Sequence, residues 1–479
     1  MTAAGPSSAR EAVQGSLAAL RRPQAAYYLL LGASVLLLCL GLVMVLSASS
    51  IRSYADGDGA FAVVRRQGAW LALGLPLMAM ASLLPPRAWR LLAYPSLILA
   101  IGLLCLVPVL GTEVRGNNNW IQIGGFNLQP SEPAKLAFVV WGADLLARKE
   151  RLLDEWTHLL VPIVPVGGLL IALVLLGDDL GTAMIIAAVL AGLLWVAGAP
   201  LRLFVLMGAL GAVAVTVLSR LPGSQYRMRR ITSWLDPSID PAGIGYQALH
   251  GRYAMGTGGW FGVGLGASRE KLPGALPEAH TDFIFAIIGE ELGLLGSVTV
   301  LLLFAAIGYA GFRVAMRADD CFVRLAAGAA TTWIVVQALV NIGAVVGIVP
   351  ITGIPLPLVS YGGSALLPTM IALGMLLSFA RLDALGRLGA SSGPRRVPPP
   401  RSVPPTARPS SAAARATSAT ARPTSASGRA MSASGRAMSA TGRATSATGR
   451  ATSATGRPTS ATARAVPPTA RATARPRRR

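Results

Sequence analysis

Apolar residues run through the first four fifths of this chain in long blocks, separated by short polar breaks. A hydrocarbon layer about 30 Å thick needs roughly 20 apolar residues of helix to cross it. Ten runs read as spans: residues 27–49, 68–84, 91–110, 132–147, 159–176, 180–198, 203–219, 283–312, 322–346 and 365–379. Pro162, Pro165, Gly167 and Gly168 interrupt one of them. Membrane helices tolerate this because neighbours can satisfy the freed backbone groups.

Basic residues in short loops orient the set. With the N-terminus inside, the inner segments hold Arg21, Arg22, Arg87, Arg90, Arg148, Lys149, Arg151, Arg202, Arg313 and Arg317. The outer loops of modest length hold only Arg52, Arg65, Arg66 and Arg115. Both termini are therefore expected in the cytoplasm, which an even number of spans requires. The expected fold is an all-α polytopic membrane protein of about ten transmembrane helices. A large extracytoplasmic loop, residues 220–282, joins spans 7 and 8.

Composition supports this class. Of 479 residues, 53% are hydrophobic and 13% charged, with mean hydropathy +0.55. That excludes an ordinary soluble domain. The formal charge of +22 sits mostly in the tail, where 18 arginines follow residue 385 without any Asp, Glu or Lys, leaving +4 for the rest. Charge in one tail is not the basic face of a nucleic-acid binder, so no nucleic acid is expected. Arginine recurs every seven residues from Arg401 to Arg471, with Ala, Ser, Thr and Gly between. No large apolar seam accompanies the period, so residues 384–479 are expected to be a disordered cytoplasmic tail. It is either a simple sequence expansion or an adhesive for anionic inner-leaflet lipid or an acidic protein. Residues 1–26 form a polar cytoplasmic segment without a signal-peptide cleavage pattern, so the first span is expected to be retained. Cys39, Cys105 and Cys321, with His158, His250 and His280, are too scattered for a disulfide framework or a metal site.

Three outer loops carry unusual chemistry. Residues 220–282 interleave Arg220, Arg227, Arg229, Arg230, Arg252, Arg269 and Lys271 with Trp234, Tyr246, Trp260 and Phe261. Such a loop is either solvated or a binder of an anionic head group. Its glycine-rich run, residues 255–266, could let backbone approach a ligand. Residues 111–133 hold Arg115, Asn117, Asn118, Asn119, Trp120 and Gln129, and Glu132 and Lys135 share one side of the span that follows. That pair either neutralises itself or lines a polar cavity. Residues 347–364 are proline- and glycine-broken at membrane depth, where such backbone must be protein-buried or face a cavity. Ser360 and Tyr361 offer hydroxyls there. A smaller feature is Asp178-Asp179 at the start of the sixth span.

The most informative stretch is residues 276–293, LPEAHTDFIFAIIGEELG. Glu278, His280 and Asp282 precede an abrupt apolar run, which places Asp282 in the first turn of a membrane helix. The helix dipole favours its carboxylate form and partial burial disfavours it. Such a group is either a helix cap or a general base. Glu290 and Glu291 follow about two turns deeper, as structural carboxylates or cavity lining. Loops of this kind on one side of a membrane suit an amphiphilic ligand with an anionic head, handled by an enzyme or a lipid transporter.

PEAHTDFIFAIIGEELG and LPLVSYGGS, with NWIQIGGFNLQPSEPAK and DLGTA, resemble the SEDS family (shape, elongation, division and sporulation proteins). The resemblance covers about residues 27–381, and residues 226–283 look more like the division member than the elongation member. It implies a peptidoglycan glycosyltransferase that polymerises lipid II at the outer face of the cytoplasmic membrane during septal wall synthesis. The family's essential aspartate falls on Asp282, its QPSE-x-x-K segment on residues 129–135, and its proline-glycine-serine loop on residues 350–364. Trp120, Glu132, Lys135, Arg230, Arg252, Lys271, His280, Ser360, Gly362 and Gly363 are then expected to line the substrate site. Charge on the leaving pyrophosphate would fall to Arg230, Arg252, Lys135 or a divalent cation, magnesium or manganese. The implied partners are a class B penicillin-binding transpeptidase, other division proteins and membrane lipids. A lipid II flippase and a division scaffold are the rival readings. Two departures stand out. Gly177, Asp178 and Asp179 lack the family's proline before Leu-Gly-Thr, and Asn119 replaces the usual arginine before the loop tryptophan.

Overall fold

A computed structural model of the chain describes residues 24–114, 117–123, 126–153, 155–220, 232–239 and 243–392. Its helices are α1 Ala25–Ala55, α2 Ala62–Leu83, α3 Pro86–Leu110, α4 Ser131–Arg148, α5 Ile163–Leu176, α6 Leu180–Val196, α7 Leu201–Arg220, α8 Ile244–Thr257, α9 Ile284–Arg317, α10 Cys321–Val346 and α11 Gly363–Ser392. Every apolar run read from the sequence lies on helix, the run 159–176 being divided between the short helix Trp156–Leu160 and α5, and α8 is an additional helix inside the long loop. Six stretches are long and apolar enough to cross a membrane: Ala25–Ala55, Pro86–Leu110, Thr157–Leu176, Ile284–Arg317, Cys321–Val346 and Gly363–Gly386. Leu180–Val196 and Leu201–Val213 are shorter apolar helices.

α4 falls short of that hydropathy for a physical reason. It packs against α3, α5, α6, α10 and α11, and 14 of its 18 residues are buried, Glu132, Lys135 and Asp144 among them. A helix enclosed by protein has no lipid to satisfy and can carry paired charge. Close helix approach relies on small residues. A Cβ on Gly374 of α11 would lie 2.4 Å from the main-chain oxygen of Met78 in α2, and one on Gly311 of α9 would lie 2.1 Å from Thr331 Oγ1 in α10.

At the bundle end away from the long loop, buried Asp144 accepts from Arg90 Nε at 2.8 Å and Arg148 Nε at 2.7 Å. These bonds tie α3 to α4. At the opposite end, the α3–α4 connection is not the irregular loop expected. It forms a three-stranded antiparallel sheet, β1 Thr112–Val114, β2 Asn117–Ile123 and β3 Phe126–Leu128. Thr112 pairs with Trp120, and Ile121 with Leu128. α9 is broken at Gly293, where φ is 67° and ψ −160°. α11 continues to Ser392, so residues 384–392 are helical and not the start of a disordered tail; the expectations for residues 1–23 and for the arginine-repeat tail beyond residue 392 lie outside the described residues.

Candidate active site

Asp282 does not stand in the first turn of α9, as the sequence suggested. Phe283 is the N-cap, so Asp282 lies just before the helix. A tight turn delivers it there. Glu278 takes a left-handed φ of 60°, its main-chain oxygen accepts from the amides of Thr281 (3.1 Å) and Phe283 (3.3 Å), and its carboxylate accepts from Thr281 Oγ1 at 2.7 Å.

Three successive carbonyls of this turn are then held from outside. His280 O accepts from the amide of Tyr361 at 3.0 Å. Thr281 O accepts from Ser360 Oγ at 2.6 Å. Asp282 O accepts from Asn341 Nδ2 at 2.8 Å. The main chain is thereby fixed while the Asp282 side chain stays half-buried. Gly353, with φ of 73°, lies beneath it, and a Cβ built there would be 3.6 Å from Asp282 Oδ2.

In the proline- and glycine-broken segment, residues 347–364, the stretch 356–360 is buried in protein, whereas Ile348 and Gly353 are exposed. Ser360 Oγ accepts from the amide of Leu356 (2.8 Å) as well as donating to Thr281. Gln67 of α2 donates to Ser360 O at 3.4 Å and accepts from the amide of Gly362 at 3.3 Å. Gly363 lies flat on Trp70, where a Cβ would come within 2.1 Å of the ring. Ser360, Gly362 and Gly363 therefore build the cradle under Asp282.

Glu132 and Lys135 meet as expected, in a closed frame. Lys135 Nζ lies 2.9 Å from Glu132 and 2.9 Å from Gln337 Oε1, and 5.3 Å from the centre of the Trp333 ring. Both side chains are almost wholly buried. Gln337 passes the connection on to Pro355 O (3.1 Å), and Asn341, one turn along α10, reaches Ile354 O (2.8 Å) and Asp282 O. One polar network thus runs from Glu132 to the main chain of Asp282. Beside it, Asp179 caps α6 by accepting from the amide of Thr182 (2.8 Å) and also accepts from Asn119 (3.0 Å) and Gln129 (2.8 Å). The main-chain amide of Gln129 in turn donates to Ser364 Oγ at 2.8 Å. Among the described residues, non-glycine left-handed backbone occurs at Asp178, Glu278 and Leu358. One falls in each of the three segments that meet here, and such strain persists only where surrounding structure enforces it.

The remaining expected site residues are placed as follows. Trp120 is half-buried in β2, and His280 is half-buried with its ring centre 5.6 Å from that of Tyr361. Arg252 is exposed on α8, beside Gly347 at the C-terminal end of α10, and its neighbour Gly251 packs on Phe283. Lys271 is not on the surface: its Nζ pairs with Glu291 at 2.8 Å, both side chains at most 1% exposed. Arg230 lies outside the described residues. In the long loop, Trp234 Nε1 donates to Gly347 O at 3.1 Å, and His250 pairs with Glu270 at 2.6 Å. Asp236 accepts from the hydroxyl and amide of Ser238, and that hydroxyl bond, then the amide, holds its carboxyl below the usual range. Glu290 and Glu291 do not line a path; both are buried and fully engaged. The described residues bring together no three His, Cys, Asp or Glu side chains that could hold a magnesium or manganese ion.

Asn341, Gln337, Gln67 and Gly353 were not singled out from the sequence. Gln337 and Asn341 left a signal: two amides spaced i,i+4 in an apolar helix share one face. Gln67 and Gly353 left none.

A family model described as cell cycle protein, covering the FtsW, RodA and SpoVE proteins, matches residues 28–384. A Mycobacterium tuberculosis protein (strain ATCC 25618 / H37Rv), named probable peptidoglycan glycosyltransferase FtsW, is 40% identical over 381 residues, 79% of this chain and 72% of that protein. Stage V sporulation protein E of Bacillus subtilis (strain 168) is 37% identical over 352 residues, 73% of this chain and 95% of that one. A chain from a solved peptidoglycan synthase complex, described as coordinating polymerization and crosslinking, aligns with TM-score 0.62 and 28% identity, covering 74% of this chain and 97% of its own. The crystal structure of the rod shape determining protein RodA of Thermus thermophilus aligns with TM-score 0.55 and 27% identity, over 74% and 97%.

Proposed function

Because this chain belongs to the FtsW/RodA/SpoVE family of cell cycle proteins, we propose that it polymerises lipid II into glycan strands with Asp282 as the general base. The chain is a polytopic membrane peptidoglycan glycosyltransferase of septal wall synthesis. The observation that carries the assignment of the base is the clamping of carbonyls 280, 281 and 282 beneath a half-buried carboxylate.

In this reading Asp282 takes the proton from the acceptor sugar hydroxyl. The hydroxyl oxygen attacks the anomeric carbon of the donor, a new glycosidic C–O bond forms, and the bond to the polyprenyl pyrophosphate breaks with its electron pair. One displacement inverts the anomeric configuration. The proton then leaves Asp282 for water. A fixed main chain holds the carboxylate in one place for this transfer, which is the requirement of an oriented base. The pyrophosphate charge falls to basic residues of the long loop. Among the expected cations, Lys135 and Lys271 are committed to buried pairs, whereas Arg252 is exposed.

A class B penicillin-binding transpeptidase is the proposed partner, as in a synthase that couples polymerization to crosslinking. The site faces outward and both termini are cytoplasmic, supported by the basic residues of the opposite bundle end. Purified full-length protein with that partner should form polymer from lipid II, and Asp282→Ala should abolish it while leaving thermal unfolding unchanged. Wild-type rates from Asp282→Ala would remove the base assignment.

A further inference from the structure

Lys271 and Glu291 form a buried ion pair that the proton transfer does not use. Around it, the ladder of α9 is opened. In an unbroken helix the amides of Leu294 and Leu295 would bond to the carbonyls of Glu290 and Glu291. The left-handed Gly293 parts both pairs. The glycine-rich loop enters the gap and satisfies all four groups. Val263 N donates to Glu290 O at 2.9 Å and Gly264 N to Glu291 O at 3.1 Å. Leu294 N donates to Gly259 O at 2.9 Å and Leu295 N to Trp260 O at 3.2 Å. Only glycine permits this approach. A Cβ would lie 1.8 Å from Gly289 O at Gly258, and 2.1 Å from Glu291 O at Gly262. Gly258 and Gly262 therefore bring backbone to a helix.

The side chains lock the same joint. Glu290 accepts from Ser268 Oγ at 2.5 Å and from the amide of Arg269 at 2.9 Å. Glu291 accepts from Lys271 Nζ at 2.8 Å and from Ser47 Oγ of α1 at 2.7 Å, and Lys271 also reaches Ser47 at 3.0 Å. The first segment of α9, residues 284–292, is thus uncoupled from the rest of its span by the break. Its N-terminal end is fixed by Asn341 and the 347–364 segment, and its C-terminal end by loop 258–271 and α1. A helix is stiff, and about 10 Å of helix rise separates Glu291 from Ile284, two residues after Asp282. A shift at Glu291 is therefore carried to Asp282.

We propose that Lys271 and Glu291, closed on Ser47, are positioning residues that set the place of Asp282 through the first segment of α9, residues 284–292. This rests on Asp282 being the base. The pair is a strong candidate for such a test because a merely structural buried pair can often be replaced by neutral side chains of similar volume at little cost. The double variant Lys271→Met/Glu291→Gln keeps the volume and one hydrogen bond to Ser47. In full-length protein with its transpeptidase partner, we expect wild-type thermal unfolding, an unchanged KM for lipid II and a kcat lower by about tenfold to a hundredfold, the cost of a displacement near 1 Å. Amide hydrogen exchange should rise at residues 280–283, remote from the substitutions. A folded double variant with wild-type kcat and exchange changes confined to residues 258–271 overturns the proposal. If the double variant does not fold, Ser47→Ala decides: a kcat loss at constant KM supports positioning, and wild-type kcat overturns it. Failure of the wild type to polymerise lipid II would instead strike the parent reading, and the exchange pattern still tests the positioning.

Discussion

Asn341, near the C-terminal end of the apolar helix α10, donates to the main-chain oxygen of Asp282 and to that of Ile354, both at 2.8 Å. One side-chain amide therefore joins the turn that carries Asp282 to the segment beneath it. Asn341 is itself almost fully buried, and its one amide serves both carbonyls. Asn341→Leu should leave both unsatisfied, at about 1–3 kcal/mol each. The expected outcome is a lower unfolding temperature in detergent and a kcat reduced at least about tenfold by loss of orientation. An unaffected kcat in Asn341→Leu would show that the turn holds itself.

Gly353 tests the other side of the carboxylate. A methyl group there makes ordinary van der Waals contact with Asp282 Oδ2, at 3.6 Å, so space is not the obstacle. The obstacle is φ of 73°, which costs an alanine about 1 kcal/mol. Gly353→Ala should fold, lose severalfold in kcat and keep its KM. Steady-state polymerisation kinetics check this, and a KM rise at constant kcat would move Gly353 into the binding surface.

The Glu132–Lys135 pair separates frame from substrate contact. Lys135→Met alone strands a buried carboxylate, and breaking such a pair costs about 3–5 kcal/mol. Glu132→Gln/Lys135→Met removes both charges and should recover most of that stability. A frame then predicts near wild-type KM in the double variant, measured beside its thermal unfolding. A large KM increase with stability restored would return the pair to the substrate site.

Much of this architecture is legible in residue order because the bilayer imposes a length and a polarity on every helix that crosses it. Each of the ten apolar runs lies on helix. The importance of residues 276–293 and 347–364 was legible too, since carboxylates and broken backbone at membrane depth are costly without a use. The limits appear at particular residues. Lys271 reads as a surface cation in a basic loop, yet it is buried against Glu291. Gly258 and Gly262 read as a place where backbone could approach a ligand, yet they approach α9 at its break.

By itself, then, the sequence determined the membrane class, the helical runs, the family motifs and the candidate base. Only the tertiary structure decided what each polar side chain faces. Asn341 meets Asp282 across 59 residues of chain, and Ser47 meets Glu291 across 244. Local pattern holds no information on such pairings. They are set by which helices pack together and by the need of every buried polar group to find a partner.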